Sequence, residues 1–424
     1  MFGTLLLLLA LGLPIAICIG FSAIVGILAG HLPISPIVVG QRMFTAIDSF
    51  PFMAIPFFML AGGLMEHGGI SKRLIRLASA LVGTLRGSLG VITVMASAFF
   101  GAISGSNPAT VAAIGGFMVP SMIKEGYKPP FAAATAAAAG TLGVIIPPSI
   151  PMITYGVVAG VSIGDLFLAG IIPGIVLAFF LSICVSCMAN YMNIPVSGGF
   201  SLSELGAAFW DAIFAMFMPI IILGGIYGGF FTPTEAGSVA CAYSLLVSIL
   251  IYREMTLDKL KNIIIGAGTS TAIVFFVIAC SQSFAWLLNV GKISEAIVNA
   301  MLGITSSAIG LTLLINLILL FLGIILETQA IILLVTPILL PIAAQIGMEP
   351  LLLGILIVVN TSLGMITPPM AVNLFVAQGL VREHGVRLEA ISRYIVPFFF
   401  VEIAVILLVS FVPSLSIGIL ALIR

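Results

Sequence analysis

The chain has 424 residues, of which 61% are hydrophobic and 7% charged, and its fifteen basic and fifteen acidic residues balance to zero net charge. An average soluble domain is roughly 25% charged, so this composition excludes a soluble protein, and the lack of a basic surplus argues against a nucleic-acid partner. Apolar runs of about 18 or more residues recur along the whole length, which is typical of an all-α polytopic protein in a lipid bilayer.

Regular membrane spans are predicted wherever an apolar run is long enough to cross the hydrocarbon once, which takes about 20 residues. The first residues carry no Lys or Arg and no cleavage signal, so the N-terminus is expected to begin a span and not a removable signal peptide. In chain order, the regular spans are predicted at residues 5–29, 49–65, 166–188, 210–230, 236–251, 263–288 and 395–419.

Two longer blocks do not fit a single span, because each has nearly 40 residues and a polar interruption near its middle. Such a block is predicted to enter the membrane and return, as a re-entrant hairpin with its tip at the interruption. Each block is followed by a span that two consecutive prolines interrupt. These elements are the hairpin 87–123 with its tip at 105–108, the broken span 131–159, the hairpin 308–346 with its tip near 326–329, and the broken span 351–380.

The two halves of the chain share their helix breakers at a constant offset of 221 residues, which indicates the duplicated unit of a secondary transporter. The matching positions are Pro120, Gly126, Pro129, Leu142, Gly143, Pro147 and Pro148 in the first half, and Pro341, Gly347, Pro350, Leu363, Gly364, Pro368 and Pro369 in the second. The chain is therefore predicted to consist of a first repeat, 1–203, a connecting span, 204–231, and a second repeat, 232–424.

The positions of the basic residues predict that the second repeat is inverted, because cytoplasmic loops carry an excess of Lys and Arg. With the loops 72–86, 124–128, 253–261 and 382–393 in the cytoplasm, only Arg42, Lys292 and Arg424 of the fifteen basic residues lie outside. Corresponding loops of the two halves then lie on opposite faces. If either hairpin were instead two full membrane spans, its flanking loops would still lie on the same side of the membrane. The charge distribution therefore does not distinguish the two, and the prediction of re-entrance depends on the broken tips.

The first tip, residues 104–108, combines small and polar residues inside an apolar block. Pro108 is placed to begin a half-helix, whose N–H groups and positive dipole end suit a carboxylate. Carbonyl groups at the end of the preceding half-helix suit a dehydrated cation. A surface turn is the alternative for such a string, but a second polar break in the other half favours a site. The predicted substrate ligands are Ser104, Gly105, Ser106, Asn107 and Pro108, and Ser104, Ser106 and Asn107 are also predicted cation ligands.

The second tip places Glu327, Thr328 and Gln329 at the equivalent corner, and all three are predicted substrate ligands. Ser106 and Asn107 correspond to Glu327 and Thr328 at the shared offset. A carboxyl group inside the hydrocarbon costs roughly 3 kcal/mol and is therefore functional by default. Glu327 can support a cation site, carry a proton or cap the following half-helix. Capping or cation support is favoured, so Glu327 is also a predicted cation ligand.

The double prolines predict further cation ligands, because each pair removes two N–H donors and frees the carbonyl groups of the preceding turn. A simple kink is the alternative. Recurrence in both halves favours two quasi-symmetric Na+ sites. The predicted cation ligands here are Gly143, Ile146, Pro147, Gly364, Thr367 and Pro368, and Asn360 and Asn373 are further predicted substrate ligands.

An enzyme is not predicted, since a hydrolytic site would need a general base at membrane depth and His31, His67 and His384 all fall in predicted loops. Two non-enzymatic functions stay open. The first is a stand-alone carboxylate or ion exchanger of inverted-repeat fold, which needs no binding protein. The second is a membrane-anchored assembly subunit, which would leave the twin broken motifs without a purpose.

Four strings together resemble a known family, the large membrane subunit of tripartite ATP-independent periplasmic (TRAP) transporters. They are Pro-Phe-Phe-Met-Leu-Ala-Gly-Gly at 56–63, Ser-Gly-Ser-Asn-Pro at 104–108, Thr-Pro-Thr-Glu-Ala at 232–236, and the two Gly-x-Ile-x-Pro-Pro motifs at 143–148 and 364–369. The resemblance covers essentially the whole chain.

The resemblance implies an elevator-type carrier in the bacterial inner membrane, coupled to Na+ and specific for organic acids, chiefly C4-dicarboxylates and sialic acids. It also implies two partners, a small membrane subunit of four helices, expected here as a separate chain, and a soluble periplasmic binding protein that delivers the ligand. By the family pattern, both tips and both proline-broken segments hold ligand and Na+. The predicted core contains no Lys or Arg, so an anionic substrate would be neutralised by helix ends and co-bound cations.

Overall fold

The computed structural model describes residues 1–30, 34–82, 87–194, 201–369 and 371–423, and all regular elements within these ranges are helical. The predicted all-α class is thereby confirmed, and nine described helical segments are long and apolar enough to cross a membrane. Three residues of the charge and catalysis arguments lie outside the described ranges, namely His31, Arg86 and Arg424.

The first half of the chain contains α1 (Phe2–Ala10), α2 (Ile15–Ala29), α3 (Ile37–Ile47), a 3-10 turn (Phe50–Met53), α4 (Ala54–His67), α5 (Ile70–Val82), α6 (Ser88–Ser104), α7 (Asn107–Lys124), α8 (Pro129–Ala139), α9 (Leu142–Ile145), α10 (Ile150–Ala159) and α11 (Ile163–Tyr191). Helix α12 (Leu202–Tyr227) follows. The second half contains α13 (Pro233–Leu246), a π-helical turn (Val247–Ile251), α14 (Leu257–Val290), α15 (Ile293–Ile304), α16 (Ala308–Ile325), α17 (Thr328–Gln345), α18 (Pro350–Gly364), α19 (Val372–Leu380), a 3-10 turn (Arg382–His384), α20 (Leu388–Phe411) and α21 (Ser414–Ile423).

Two predicted spans are each divided into two helices. The span 5–29 is interrupted between α1 and α2, where Gly12 has φ of +75° and Pro14 offers no N–H. The span 395–419 is interrupted at Pro413, between α20 and α21. Hydropathy alone did not reveal these breaks, because the residues around them are apolar.

The cationic segment 72–86, predicted as a loop, is helical throughout its described part, in α5. Ile70, Leu74 and Leu77 are buried along one face, at the spacing of an amphipathic helix. The charged residues between these apolar positions obscure the helical period in the sequence. Residues 83–86 lie outside the described part of the chain.

Short breaks between packed helices lie at both predicted tips. Helices α6 and α7 contact each other and are separated by Gly105 and Ser106. Helices α16 and α17 also contact each other and are separated by Leu326 and Glu327. The polar interruptions of the two blocks therefore coincide with chain reversals.

The helix boundaries of the two halves coincide at the offset of the sequence repeat. Helices α7 and α17 begin at Asn107 and Thr328, and α8 and α18 begin at Pro129 and Pro350, each pair 221 residues apart. The packing is also reciprocal, since α7 contacts α19 of the second broken span and α17 contacts α10 of the first. Each hairpin thus packs against the broken span of the other half.

The centre of the molecule is formed by α8 and α18, the first parts of the two broken spans. All residues from Phe131 to Ala139 and from Leu352 to Gly364 are buried. The Ser362 hydroxyl donates a hydrogen bond to the Thr141 carbonyl oxygen over 2.8 Å, and these two residues are themselves 221 apart. The two halves therefore meet at equivalent positions.

Helix α5 is attached to α12 and to the segment before α14 by a cluster of charges. Arg73 pairs with Asp211 and with Glu254, each over 3.1 Å, and its guanidinium lies 3.5 Å from the ring centre of Tyr252. Burial raises the pKa of Tyr252 to about 12, so its ring is neutral beneath the guanidinium. This cluster fixes the position of the helix that leads into the first hairpin.

Candidate functional site

The first tip is a tight turn packed against the first proline-broken span. Gly105 has φ of +59°, a left-handed conformation that glycine adopts readily. A Cβ at this position would lie 3.1 Å from the Pro148 carbonyl oxygen. The Ser104 hydroxyl lies 3.0 Å from the Thr110 hydroxyl, which donates to the Ser106 carbonyl oxygen over 2.8 Å. Side-chain hydrogen bonds thus close the turn on itself.

Asn107, the first residue of α7, connects this tip to the second half of the chain. Its side chain is fully buried, and Nδ2 donates to the Ser362 hydroxyl over 2.7 Å. Ser362 in turn donates to the Thr141 carbonyl oxygen. Among the described residues, the buried Asn107 Oδ1 atom has no hydrogen-bond partner, so it can bind a cation or a donor group.

The second tip has fewer side-chain contacts. Glu327 occupies the N-cap position of α17 and is exposed, whereas Thr328 and Gln329 are buried. The Thr328 hydroxyl lies 4.0 Å from the Met365 sulfur. Gln329 Oε1 is buried and finds no hydrogen-bond partner in the described part of the chain. Like Asn107, Gln329 therefore offers a free oxygen at the start of a half-helix.

The two tips meet in one cavity of about 150 Å³. Seven of the sequence-predicted substrate residues line it. The other lining residues belong to α4, α9, α10, α14 and α19, and Met365 follows the end of α18. Glu327 is the charged residue of the described lining. The lining residues are Gly105, Ser106, Asn107, Pro108, Glu327, Thr328 and Gln329, together with Met59, Val144, Ile150, Pro151, Val274, Met365 and Val372. The structure thus brings together residues that lie about half the chain apart in sequence.

A larger cavity of about 450 Å³ adjoins the first, and Met59, Ser106 and Ile150 line both. Ser104 lines this larger cavity, as do Lys259 and other residues of α4 and α14 that sequence reasoning missed. A signal was present, because polar or small residues recur along α14 at helical spacing. Those residues are Asn262, Gly266, Ala267 and Ser270.

The predicted cation ligands of the first broken span lie behind the first tip. A Cβ at Gly143 would lie 2.5 Å from both the Ser106 carbonyl oxygen and the Thr110 hydroxyl. Pro147 is buried and Ile146 half-buried. None of these three predicted ligands lines the tip cavity. The span supports the tip through close backbone contact.

The equivalent residues of the second broken span are arranged differently. Gly364 packs against the backbone of Gly323, the Thr367 hydroxyl donates to the Leu363 carbonyl oxygen over 2.8 Å, and Pro368 is exposed. None of the predicted ligands Gly364, Thr367 and Pro368 lines the tip cavity. This span approaches the cavity through Met365 and Val372 instead.

The two predicted asparagines lie beside the cavity and not in its lining. Asn360 Nδ2 donates to Asn316 Oδ1 over 2.9 Å, which ties α18 to α16. Asn373 Nδ2 donates to the Ala137 carbonyl oxygen over 3.2 Å, while its Oδ1 has no partner among the described residues. Asn360 thus joins two helices, whereas Asn373, like Asn107, keeps an oxygen without a partner among the described residues. Sequence alone did not separate the three asparagines, because all of them lie in broken or apolar segments.

Residues 2–415 match the family described as tripartite ATP-independent periplasmic transporter, DctM component. The isethionate TRAP transporter permease protein DctMQ of Oleidesulfovibrio alaskensis is 41% identical over 98% of this chain, which spans 65% of that longer relative. The C4-dicarboxylate TRAP transporter large permease protein DctM of Pseudomonas aeruginosa is 38% identical, over 89% of this chain and 88% of its own length. Among solved structures, the YdaH transporter of Alcanivorax borkumensis has a similar fold, with a TM-score of 0.64 and 14% identity over 91% of each chain.

Proposed function

The chain belongs to the DctM family of large membrane subunits of TRAP transporters, multi-pass proteins of the inner membrane, and we propose that it takes up an organic acid anion with Na+ as the coupling ion. The named relatives are transporter permeases and not enzymes. Their names include C4-dicarboxylates and isethionate. C4-dicarboxylates and sialic acids are the first candidate substrates, and isethionate is a third.

The observation that carries the proposal is the single cavity shared by both tips. Helices α7 and α17 begin there, so the N–H groups and positive dipole ends of two half-helices are available to one carboxylate. A site between broken helices of two related halves is the arrangement expected of a secondary transporter.

Na+ fits the donor set of the first tip. Hard cations are bound by oxygen atoms, and the buried Asn107 Oδ1 lacks a partner within the described ranges while Ser104 and the Ser106 carbonyl lie in the same turn. Among the described residues no Lys or Arg lines the tip cavity, so a co-bound cation would supply the positive charge that an anionic substrate needs. The coincident helix boundaries support a second, related site near Gly364 and Thr367.

The same coincidence supports a structural repeat. We propose that this repeat is inverted, with boundaries at 203 and 232, and that transport follows an elevator mechanism. In that mechanism, the hairpins and broken spans move together against the outer helices. The reciprocal contacts of α7 with α19 and of α17 with α10 join the two hairpins and the broken spans into one unit. Helices α4 and α14, which line the cavities from outside that unit, would belong to the stationary scaffold.

Two partners complete the proposal, a small four-helix membrane subunit as a separate chain and a periplasmic substrate-binding protein. Family membership supports both, since the family is defined as a component of a tripartite periplasmic system. The competing proposal is a stand-alone carboxylate or ion exchanger of related fold. The two differ in whether uptake needs the binding protein.

Reconstitution into proteoliposomes tests the proposal. Radiolabelled succinate, sialic acid and isethionate are offered with and without Na+, the small subunit and the binding protein. We expect uptake of one acid only when all three are present. Uptake by this chain alone in Na+-free buffer would contradict both the coupling and the partners. Uptake that needs Na+ but not the binding protein would favour the exchanger.

A further inference from the structure

A buried carboxyl group lies outside both cavities, in the middle of α20. The Glu402 side chain is 1% exposed, its Oε1 lies 2.8 Å from the Thr141 hydroxyl oxygen, and its Oε2 has no hydrogen-bond partner among the described residues. An acidic group within an apolar span is costly to bury and is functional by default. Glu402 therefore needs an explanation that the transport site does not supply.

The hydrogen bonds of Thr141 define the state of this carboxyl group. Thr141 Oγ1 lies 2.7 Å from the Ala138 carbonyl oxygen, which can only accept. A hydroxyl has one proton to donate, so Thr141 cannot donate to the Ala138 carbonyl and to Glu402 together. With a neutral Glu402, the carboxyl can donate to Thr141 while Thr141 donates to Ala138, and both contacts are then hydrogen bonds. An ionised Glu402 would instead leave two acceptors competing for one proton.

The surrounding helices provide no compensating positive charge. Helix α20 packs against α8, α11, α18 and α19, and Ser410 joins it to α16 through Asn316. Helices α8, α16, α18 and α19 contain no acidic, basic, Cys or Tyr residue. The titratable groups of α11 are Asp165, Cys184, Cys187 and Tyr191, and the others of α20 are Glu389, Arg393 and Tyr394. Within the described ranges, the ion pairs of the protein do not include Glu402.

Thr141 also links Glu402 to the first tip. The Thr141 carbonyl accepts from Ser362, and the Ser362 hydroxyl accepts from Asn107 Nδ2. The carboxyl group and the tip cavity are thus joined through two intervening residues. A rearrangement of Thr141 would reach Asn107 through hydrogen bonds of 2.8 and 2.7 Å.

We propose that Glu402 is a proton-binding site of the carrier, with the proton on the carboxyl oxygen that faces Thr141 and donated to the Thr141 hydroxyl oxygen. Loss of the proton would leave an unpaired buried carboxylate and would force the Thr141 hydroxyl to choose between Glu402 and Ala138. Deprotonation therefore loosens the contact between α8 and α20 and, through Ser362, the position of Asn107. This coupling to Asn107 rests on the proposed transport function, whereas the protonation itself does not.

Infrared spectroscopy of the purified full chain in lipid tests the protonation without any substrate. At neutral pH we expect the carbonyl stretching band of a neutral carboxylic acid, which shifts in D2O and is missing in Glu402→Gln. Thr141→Val should shift the band, because it removes the acceptor of the carboxyl proton. Glu389→Gln, an exposed position on the same helix, is the matched control and should leave the band unchanged.

If Glu402→Gln shows the same carboxylic-acid bands as the wild type at neutral pH, the proposal is overturned. This result would identify Glu402 as an ionised carboxylate, for which Na+ is the alternative occupant. An unshifted band in Thr141→Val would also overturn it, since the proton would then lie elsewhere. Size-exclusion profiles of all variants exclude misfolding as the cause of a missing band.

Uptake in the reconstituted system tests the coupling. As pH rises, wild-type Glu402 loses its proton and uptake is expected to fall, whereas Glu402→Gln, whose amide remains neutral and donates to Thr141, retains uptake at alkaline pH. Identical pH profiles of the two proteins would overturn the coupling even where the infrared band is present. If the wild type transports none of the offered acids, the proposed function fails while the infrared result still decides the proton site.

Discussion

The two hairpin tips have matching helix boundaries but differ in how their side chains are bonded. At the first tip, Asn107 is tied to Ser362 and the hydroxyls of Ser104 and Thr110 close the turn. At the second tip, the Thr328 hydroxyl has a contact of 4.0 Å with a sulfur atom. Each tip keeps one buried amide oxygen without a partner among the described residues, on Asn107 and on Gln329. The first tip therefore differs in its side-chain hydrogen bonds, and we expect the second tip to adjust more readily to a ligand.

The two broken spans behind the tips also differ, in the exposure of their prolines. Pro147 and Pro148 are buried, whereas Pro368 and Pro369 are exposed, although both pairs occupy equivalent positions in the sequence. A duplicated sequence pattern can thus give two environments of unequal burial.

The largest effect on uptake and stability is expected from Gly143→Ala, which would disrupt the close contact between the first tip and the first broken span. The added Cβ would lie 2.5 Å from the backbone oxygen of Ser106, and backbone cannot give way as a side chain can. Overpacking of this kind costs about 3 kcal/mol, so uptake should be lost and the melting temperature lowered. Uptake assays and thermal unfolding in detergent measure both.

Gly116→Ala on α7 is the matched control, because a Cβ there meets nothing within 4 Å. It should be neutral or slightly stabilising, since alanine favours a helix over glycine by up to about 1 kcal/mol. Gly364→Ala, at the equivalent position of the second half, meets the Gly323 backbone and should resemble Gly143→Ala. A harmless Gly143→Ala would refute the close support of the first tip.

The next largest effect is expected from Asn107→Ala compared with Thr328→Ala, its equivalent at the other tip. Asn107→Ala removes the hydrogen bond to a buried hydroxyl, which costs about 2 kcal/mol, or more than tenfold in uptake. Thr328→Ala loses the long contact with sulfur and should cost less. Initial uptake rates at saturating Na+ measure the difference, and equal losses would remove the distinction between anchored and adjustable tips.

A smaller effect is expected from Arg73→Ala, which releases α5 from Asp211 and Glu254. The pairs are partly exposed, so their loss should cost about 1 kcal/mol and lower the melting temperature by about 2 °C. Lys72→Ala is the control, because its ion pair is longer, at 3.6 Å, and its side chain is 60% exposed. Equal melting temperatures for the two variants would show that the cluster does not stabilise α5.

The smallest effect is expected from Pro368→Ala, because this proline is exposed and does not line the tip cavity. Stability should change by less than about 0.5 kcal/mol. Pro147→Ala, at the buried equivalent position, should reduce uptake more. A larger loss of uptake in Pro368→Ala than in Pro147→Ala would reverse the comparison between the two broken spans.

The sequence predicted the tips because breakers in an apolar chain are local signals. Gly105 and Pro108 mark the first reversal without any knowledge of the packing. The outer wall of the tip cavity was not predictable in this way. Met59 and Val274 are ordinary apolar residues of α4 and α14, and only tertiary packing makes them part of the lining.

The roles of polar residues inside the membrane spans were harder to predict than the positions of the tips. Asn360 was expected at the substrate, but it pairs with Asn316 in a neighbouring helix, a contact that sequence spacing does not reveal. Glu402 was overlooked within the span 395–419, although an acidic residue in an apolar run is a recognisable signal. Its role depends on Thr141, which lies 261 residues away in sequence.

Helix α14 has a consequence for the membrane around the protein. Its 34 residues form a rod about 51 Å long, against a hydrocarbon thickness of about 30 Å. Tilting by an average of about 20° shortens that rod by only about 3 Å, so its charged start at Asp258 and Lys259 must reach into the headgroup layer. Since Lys259 also lines the larger cavity, that cavity is expected to extend toward the headgroup layer on the side where α14 begins.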